Sequence, residues 1–126
     1  MISLYRPPSG SIDQFLMQFE ILLNKISQMN KQIFIFGDFN LDLMKIQAKQ
    51  NDSKIREFLE LMLCQGLLPS CLIPTRINDN GATLIDNIFF NSTCFSTVVI
   101  LNDISDHGLI ISEFNLAISK KNKRNE

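Results

Sequence analysis

The sequence predicts an α/β layered domain. Two stretches carry apolar residues at helical spacing, several others carry strand-like apolar runs, and helices alternate with strands only in the first half of the chain. A length of 126 residues, with 45% hydrophobic and 20% charged residues, is typical of a single globular domain. We therefore expect one folded domain over residues 1–118.

Capping residues mark the ends of the helices in the first half. Ser11 precedes a run of apolar residues at helical spacing, and Gln14 completes a capping box three positions later. Gly66 is typical of the residue that ends a helix. The successive apolar residues 33–36 are typical of a buried strand. The predicted elements are a strand at 2–5, a helix from Ser11 to about Met29, a strand at 33–36, a polar loop at 41–51 and a helix from Asp52 or Ser53 to Gly66.

The second half of the chain predicts strands joined by turns. Residues 74–81 are rich in Pro, Asn, Asp and Gly, which favour turns. In the strand predicted around Asp86, alternation places Leu84, Asp86 and Ile88 on one face. The predicted strands are a short one at 67–73 and three longer ones at 83–90, 97–101 and 108–116.

Charge is distributed unevenly along the sequence. Residues 120–126 carry four basic residues and one acidic residue, which leaves eight basic and twelve acidic residues elsewhere. We expect residues 119–126 to form a basic disordered tail, which is either simply solvated or a weak nuclear import signal. The acidic body is a poor binder of nucleic acid unless cations neutralise the phosphates.

The sequence argues against secretion and against a membrane partner. No apolar run approaches the ~18 residues that a membrane span needs. No basic segment followed by a long apolar one opens the chain, so we expect a protein that is not secreted. The three cysteines lack the spacing of metal sites, and we expect reduced, partly buried thiols.

Asp38 and Asn40 are the first candidate functional residues. They follow the buried strand at 33–36, directly after Gly37, and open α/β sheets tend to place their chemistry at such carboxyl ends. Two hard oxygen ligands beside a glycine suit a magnesium–phosphate site. A simple turn after the strand is the alternative, because Asp and Asn both favour turns.

Asp86 and His107 are the next candidates, because each is polar within strand-like apolar sequence. A buried carboxylate without a partner costs several kcal/mol, so Asp86 needs one. His107 is the only histidine in the chain, and a carboxylate at one imidazole nitrogen fixes the tautomer and raises the basicity of the ring. We therefore predict an Asp86–His107 pair. The alternatives are a structural histidine, and for Asp86 an ion pair or a cap at the sheet edge.

Asp106 precedes His107, and the side chains of adjacent residues in an extended backbone point to opposite sides. Asp106 could then hold a metal ion while His107 faces a phosphate. A serine hydrolase is a poor alternative, because the sequence contains no GxSxG nucleophile elbow.

Taken together, these segments resemble a known superfamily of hydrolases. The motifs occur in the order Tyr5-Arg6-Pro7-Pro8-Ser9, Gly37-Asp38-Phe39-Asn40-Leu41-Asp42-Leu43, Gly66-Leu67, Pro74-Thr75-Arg76-Ile77, Thr83-Leu84-Ile85-Asp86-Asn87-Ile88-Phe89 and Asp103-Ile104-Ser105-Asp106-His107. They resemble the endonuclease/exonuclease/phosphatase superfamily. More narrowly, they are similar to the apurinic-endonuclease-like domain that precedes the reverse transcriptase in non-LTR retrotransposons. The resemblance covers residues 1 to about 116.

The resemblance implies a DNase I-like fold, in which two β-sheets pack face to face with helices outside. It also implies hydrolysis of a phosphodiester that depends on Mg²⁺, with Mn²⁺ as the alternative ion, and that leaves a nick in DNA. DNA is the partner that it implies, and an active nuclease of this kind would work in the nucleus.

The same resemblance assigns roles to five residues of the catalytic centre. By the matching motifs, Asp38 would orient or deprotonate the attacking water, and Asn40 would hold the scissile phosphate or the metal. His107 would contact the phosphate and stabilise its developing charge, while Asp86 would orient His107. Tyr5 would lie beside the phosphate.

Metal binding and DNA binding are assigned in the same way. Asp106 would be a metal ligand together with Asp38 and Asn40. Thr75, Arg76 and Thr83 would line the DNA side of the site.

The chain also departs from the pattern that it resembles. The family's domain begins well before the Tyr-containing strand, and its first half supplies an asparagine and a metal-binding glutamate. This sequence begins at the strand of Tyr5, so the resemblance implies the C-terminal half of the domain without its N-terminal half. Pro8 stands where nucleases specialised for abasic sites have an asparagine. We expect a truncated gene copy or a partial gene model with weak or no activity in isolation.

Three functions remain open at the level of the sequence. The first is a metal-dependent DNA endonuclease of the retroelement type, whose partners in a full-length element would be the absent half-domain or a reverse transcriptase region. The second is a non-catalytic remnant of such an element. The third is a phosphomonoesterase or phospholipase of the same superfamily.

Overall fold

A computed structural model describes residues 1–46 and 52–116 of the chain, apart from the side chain of Phe95. The predicted tail at 119–126 and the predicted domain end at residue 118 lie outside the described residues. The elements are, in order, β1 (Ile2–Tyr5), α1 (Ile12–Ser27), β2 (Phe34–Asp38), a 3-10 helix (Leu43–Ile46), α2 (Ser53–Cys64), β3 (Leu68–Pro69), β4 (Arg76–Asn78), β5 (Gly81–Thr83), β6 (Asp86–Phe90), β7 (Thr93–Ile100) and β8 (Leu109–Asn115).

A four-stranded sheet in the order β1-β2-β6-β3 forms the centre of the molecule. β1 runs parallel to β2, whereas β6 runs antiparallel to both β2 and β3. Gly37 lies so close to β1 that a Cβ atom there would overlap the carbonyl oxygen of Leu4. The close pairing of β1 and β2 therefore requires glycine at this position.

The two helices pack on one face of this sheet and form the core with it. The Ser11 side chain accepts the backbone N–H of Gln14 at the start of α1, and Asp52 caps α2 in the same way. Gly66 has a φ of 69° just after α2, a conformation that favours glycine. The buried core residues of the cluster are Leu16, Phe19, Leu23, Ile35, Phe39, Leu41, Ile55, Phe58, Met62, Leu67 and Phe89.

The antiparallel hairpin β7–β8 lies over the opposite face of the sheet. The Phe114 ring in β8 contacts Phe34 and Phe90 of the sheet, with ring centroids 4.9 and 4.8 Å apart. The Ser112 hydroxyl donates to that of Ser70 at 3.2 Å. The sheet therefore has helices on one side and a two-stranded β-layer on the other, and the predicted α/β layered architecture is confirmed.

The second half of the chain differs in detail from the predicted strands. The predicted strand at 83–90 is interrupted, because the carbonyls of Leu84 and Ile85 accept from Leu43 and Phe39 rather than from a neighbouring strand. Only Asp86–Phe90 pairs as β6. The prediction that Leu84 shares a strand face with Asp86 is therefore wrong.

Several other predicted elements differ in their bounds. The strand predicted at 67–73 is limited to Leu68–Pro69, because the Asn87 side chain accepts from and donates to the backbone of Cys71 in place of a strand. The loop at 74–81 contains β4 and the start of β5, and the loop at 41–51 contains a 3-10 helix. α1 ends at Ser27, slightly earlier than predicted, and β7 is longer than predicted.

Two further predictions concern cysteines and membranes. Cys64, Cys71 and Cys94 are free thiols, as expected, and burial raises the pKa of Cys71. Neither of the described helices is long and apolar enough to cross a membrane.

Candidate active site

Two aspartates face each other across the strand pair β2–β6. Asp38 ends β2 and Asp86 begins β6, and the register pairs the two residues directly. Directly paired residues point to the same face of a sheet. This face carries the β7–β8 hairpin, because Phe34 and Phe90, which share it, contact Phe114 of β8. The strand register thus places two carboxylates at one end of the cleft between the sheet and the hairpin.

The contact predicted between Asp86 and His107 is present in the structure. Oδ2 of Asp86 lies 2.9 Å from Nδ1 of His107 and also accepts a hydrogen bond of 2.8 Å from the Thr75 hydroxyl. The Thr75 oxygen itself accepts the backbone N–H groups of Ile85 and Asp86. A carboxylate acceptor at Nδ1 puts the proton on that nitrogen and leaves Nε2 to face away from Asp86. Thr75 and Asp86 together fix the orientation of the imidazole.

Asp38 lies beside this pair in a partly buried environment. Burial raises the pKa of Asp38 above its ordinary value, and the charge of Asp86 adds to the rise. The backbone N–H of Asn40 opposes the rise, because it donates to Asp38 Oδ1 at 3.0 Å. The charge of Asp86 destabilises the charged form of Asp38, so the position beside Asp38 favours a bound cation or a proton.

Asn40 occupies a left-handed backbone conformation, with a φ of 49°. Its side-chain Nδ2 donates to the carbonyl oxygen of Arg6 at 2.7 Å. No hydrogen bond to its Oδ1 occurs among residues 1–46 and 52–116. The amide oxygen of Asn40 is therefore the part of this side chain that is available to a ligand.

Asp106 lies at the edge of the site and has a different partner. Arg76 Nε donates to Asp106 Oδ2 at 2.6 Å, and this hydrogen bond lowers the pKa of Asp106. The other carboxylate oxygen lies 4.0 Å from Nε2 of His107. The residue predicted as a metal ligand is thus paired with a residue predicted to contact DNA.

The hairpin β4–β5 is connected by its backbone to the segment that carries His107. Arg76 and His107 form an isolated β-bridge, and Ile77 N donates to the carbonyl of Asp106 at 2.9 Å. The backbone N–H of Gly108 also donates to the carbonyl of Thr75. These bonds fix the position of the segment 106–108 relative to Asp86.

The remaining predicted residues lie at different depths. Tyr5 is 67% exposed and is paired with Asp38 in the β1–β2 register, so both side chains occupy the same sheet face. Thr83 is half-buried in β5 opposite Arg76. Thr75 is completely buried. The expectation that Thr75 lines the DNA side does not match its position, because its hydroxyl faces Asp86 in the interior.

The donor atoms suit a divalent metal ion. Among the described residues, Asp38, Asp86 and His107 are the group of three whose ligand atoms all lie within 4.8 Å of one another. Carboxylate oxygens are the ligands that Mg²⁺ prefers, and Mn²⁺ accepts an imidazole as well. This group shares only Asp38 with the predicted set of Asp38, Asn40 and Asp106.

A cleft of about 280 Å³ adjoins the cluster. Phe36, Ile88 and Ile110 form part of its apolar lining, and Asp38 and Asp86 lie in its wall. The two carboxylates are therefore accessible from solvent on the hairpin side of the sheet. The helix-covered side offers no such access, since its side chains form the buried core.

Sequence reasoning missed the roles of two residues that support the site. Thr75 binds Asp86 in the interior instead of lining the DNA side, and Arg6, which contacts the backbone of Asn40, had no assigned role. The burial of a polar residue in a loop has no periodic signal, so neither contact could be read from the spacing of residues.

Comparisons with known proteins agree with this geometry. Residues 1–111 match the family model described as "Endonuclease-reverse transcriptase". No curated protein sequence matches the chain significantly.

Among the solved structures that resemble the chain, three illustrate the similarity. The first is the endonuclease domain of TRAS1, a telomere-specific non-LTR retrotransposon, with 20% identity and a TM-score of 0.68. The second is the 3′ phosphatase NExo from Neisseria bound to product DNA hairpin, with 18% identity and a TM-score of 0.63. The third is an endonuclease/exonuclease/phosphatase family protein from Leptotrichia buccalis, with 22% identity and a TM-score of 0.57.

These similarities confirm the predicted DNase I-like fold. The three matches cover 89%, 82% and 80% of this chain, in the order given above. The chain spans only 54%, 52% and 42% of the lengths of those proteins. It therefore corresponds to about half of each neighbour, as expected for part of a two-sheet domain.

Proposed function

Because the chain belongs to the endonuclease–reverse transcriptase family, we propose that it hydrolyses phosphodiester bonds in DNA with the help of a divalent metal ion and leaves a nick. The single observation that carries this proposal is the Asp86–His107 contact beside Asp38. DNA is supported as the substrate class by the neighbours, one of which is an endonuclease domain and another of which is bound to a DNA product.

Asp38 is the proposed base for the attacking water. Its carboxylate is partly buried and keeps one oxygen bonded to the N–H of Asn40, so the other oxygen can accept a proton from water. Burial raises the pKa of Asp38, and a higher pKa makes a carboxylate a better base as long as it stays ionised at the working pH.

His107 is the proposed donor to the scissile phosphate. Since Nδ1 is bonded to Asp86, Nε2 of the protonated ring can donate a hydrogen bond to a phosphoryl oxygen. Asp86 prevents the ring from turning, so the donor is in place before charge develops on the phosphate.

Tyr5 is proposed to bind the phosphate from the β1–β2 side, and Asn40 is proposed to bind the attacking water or the metal ion there. The amide oxygen of Asn40 can accept from the water or bind a metal ion. The exposed Tyr5 hydroxyl can donate to a non-bridging phosphate oxygen. Arg76 and Thr83 lie on the rim of the site, where Arg76 can bind the DNA backbone.

Asp38 and Asp86 are the residues that would hold Mg²⁺ or Mn²⁺. A bound ion of this kind polarises a phosphoryl oxygen and lowers the pKa of bound water. Asp106 would join these ligands only when Arg76 leaves it, because a carboxylate that is already paired with a guanidinium is a weaker ligand.

The test is nicking of supercoiled plasmid by the purified chain with Mg²⁺, and separately with Mn²⁺. We expect nicking that EDTA abolishes and that His107→Ala reduces by about 100-fold or more. Asp103→Asn is the matched control, because Asp103 is an exposed carboxylate close to His107 in sequence and has no proposed role in the site. A folded chain that leaves the plasmid intact would contradict the proposal and favour the non-catalytic remnant.

Removal of a terminal phosphate is the second candidate function, and the 3′ phosphatase among the structural neighbours favours it. The same donors would bind a phosphomonoester. An oligonucleotide that carries a 3′-phosphate distinguishes the two functions. Release of inorganic phosphate without plasmid nicking would favour the phosphatase.

A further inference from the structure

Arg6 is a buried cation whose partners are all backbone carbonyl groups. It follows β1 directly, and only 5% of it is exposed. Nε donates to Phe39 O at 2.8 Å and Nη2 to Asn40 O at 2.9 Å. Nη1 donates to Gly10 O and Pro7 O at 3.0 and 3.2 Å. Among the described residues no carboxylate forms an ion pair with Arg6, so these carbonyl dipoles offset the cost of burying its charge.

The backbone of Arg6 binds the same turn as its side chain. Arg6 N donates to the carbonyl of Asp38 at 2.9 Å, and Arg6 O accepts from Asn40 Nδ2 at 2.7 Å. Each of the three residues Asp38, Phe39 and Asn40 is therefore hydrogen-bonded to Arg6 through at least one atom. The left-handed backbone of Asn40 is less favourable in isolation than a right-handed one, and these bonds oppose its relaxation.

The conformation of this turn determines where the two functional side chains point. In the left-handed conformation, the N–H of Asn40 donates to Asp38 Oδ1. The same turn holds the Nδ2 of Asn40 against the carbonyl of Arg6, and among the described residues its Oδ1 has no hydrogen-bond partner. If the turn relaxed, Asp38 would lose a hydrogen bond and Asn40 would lose its fixed direction.

We propose that Arg6 is a positioning residue, whose guanidinium group holds the Asp38–Asn40 turn in the conformation that directs both side chains to the position of the attacking water. The catalytic consequence rests on the proposed nuclease function. The effect of Arg6 on the conformation of the turn does not depend on that function.

The fork of donors is the property that matters, rather than the positive charge. The guanidinium presents five N–H donors in one plane, and here Nε and Nη2 bind the carbonyls of successive residues. A lysine ammonium has its three donors on one atom and cannot reproduce the paired hydrogen bonds to the carbonyls of Phe39 and Asn40. Arg6→Lys therefore keeps the positive charge but removes the planar arrangement of N–H donors.

The experiment compares the wild type with Arg6→Lys, Arg6→Gln and the control Lys25→Met. Lys25 is an exposed cation in the last turn of α1, far along the chain from the turn. Hydrogen exchange of the Asn40 backbone amide is followed by NMR, with the amide of Leu23 in α1 as an internal reference. Plasmid nicking with Mg²⁺ is measured on the same samples.

Both Arg6 variants should speed exchange at Asn40 by about tenfold or more, with little change at Leu23. They should reduce the turnover number for nicking by about tenfold while the KM for DNA changes less, because the loss is one of alignment. Lys25→Met should behave as the wild type does in both assays.

If Arg6→Lys showed the same hydrogen exchange at Asn40 and the same nicking activity as the wild type, the proposal would be overturned. The wild type alone provides a second test, in case the variants do not fold. If Arg6 is held by its hydrogen bonds, the NMR signal of its Nε–H should persist during hydrogen exchange for longer than the signals of exposed arginines. Rapid exchange of the Arg6 Nε–H would also overturn the proposal. A wild type that does not nick DNA contradicts the proposed nuclease, whereas the exchange data still decide whether Arg6 holds the turn.

Discussion

The two faces of the central sheet differ in how completely they are covered. On the helix face, Phe58 is fully buried, and its ring lies within 5.2–6.2 Å of the rings of Phe15, Phe19, Phe39 and Phe89. On the hairpin face, Phe90 is buried, whereas Phe34, Phe36 and Ile88 are only half-buried. The outer side of the β7–β8 hairpin exposes four paired apolar side chains, namely Val98, Ile100, Leu109 and Ile111.

Because of this difference, one face of the sheet stabilises the fold and the other carries the candidate active site. The helix face removes apolar surface from water and supplies most of the hydrophobic stabilisation. The hairpin face leaves Asp38 and Asp86 accessible at its end, where a substrate can reach them. Substitutions on the two faces should therefore affect different properties, and the following predictions are ordered from the largest effect to the smallest.

Phe58→Ala should be the most destabilising substitution considered. A fully buried phenylalanine that loses its ring leaves a cavity, and the expected loss is about 3–5 kcal/mol in the free energy of unfolding. Urea denaturation measures this loss. The matched control is Phe34→Ala on the hairpin face, which should lose about 1–2 kcal/mol because Phe34 is only partly buried. Equal losses would show that the two faces contribute equally.

Asp86→Asn should affect activity far more than stability. The amide keeps the shape of the side chain but removes the carboxylate that orients His107. Loss of such an orienting partner typically costs about 10–100-fold in activity. Plasmid nicking with Mg²⁺ measures the effect. The same substitution at Asp103, which is exposed, should leave nicking unchanged.

Thr75→Val should weaken both properties moderately. The hydroxyl accepts from Ile85 N and Asp86 N and donates to Asp86, so its loss leaves buried N–H groups unpaired at a cost of about 1–3 kcal/mol. Thermal unfolding and nicking are measured together. Thr75→Ser keeps the hydroxyl and should retain most of the activity. If the serine variant were as inactive as the valine variant, the hydroxyl would not be the relevant group.

The stability effect of Asp38 should depend on pH in a defined direction. Because burial raises the pKa of Asp38, the fold prefers its neutral form. The stability that Asp38 contributes is fully present below its ordinary pKa of 3.8 and is lost as the pH rises through the raised value. Without metal, Asp38→Asn should therefore be more stable than the wild type at neutral pH, and the advantage should vanish in acid. Melting temperatures across this range test the sign. A variant that is less stable at neutral pH would contradict it.

Val98→Thr together with Ile111→Thr should change the least. The two residues are paired across the hairpin, and each is about half-exposed. Threonine suits a strand about as well as either residue. The free energy of unfolding should change by less than about 0.5 kcal/mol. The measurement is again urea denaturation, and a loss as large as that of Phe34→Ala would show that this outer surface is packed in solution.

The helices and the central strand could be predicted because their signals are local. Helical spacing and the capping residues Ser11 and Asp52 locate α1 and α2, and the apolar run at 33–36 locates β2. Asp86 and His107 could be paired from the sequence because both are polar residues in strand-like apolar sequence. The family resemblance added the order of the motifs and the DNase I-like fold.

The errors arise where long-range contacts decide the structure. Leu84 and Ile85 look like part of a strand, but their carbonyls bind the loop after β2. Asp106 looks like a free ligand, but Arg76 occupies it, and that partner is thirty positions away in the chain. Such contacts depend on the tertiary fold and leave no local pattern in the sequence.

Gly37 has a consequence for how this gene can vary. A Cβ atom at this position would overlap the carbonyl oxygen of Leu4, and no rotamer can relieve a clash of Cβ with a neighbouring backbone. Every missense change in codon 37 should therefore separate β1 from β2 and take Tyr5 and Arg6 away from Asp38. In a mutational scan, position 37 should tolerate no substitution at all. Gly66 should accept asparagine, because a Cβ atom there would meet no other atom within 4 Å.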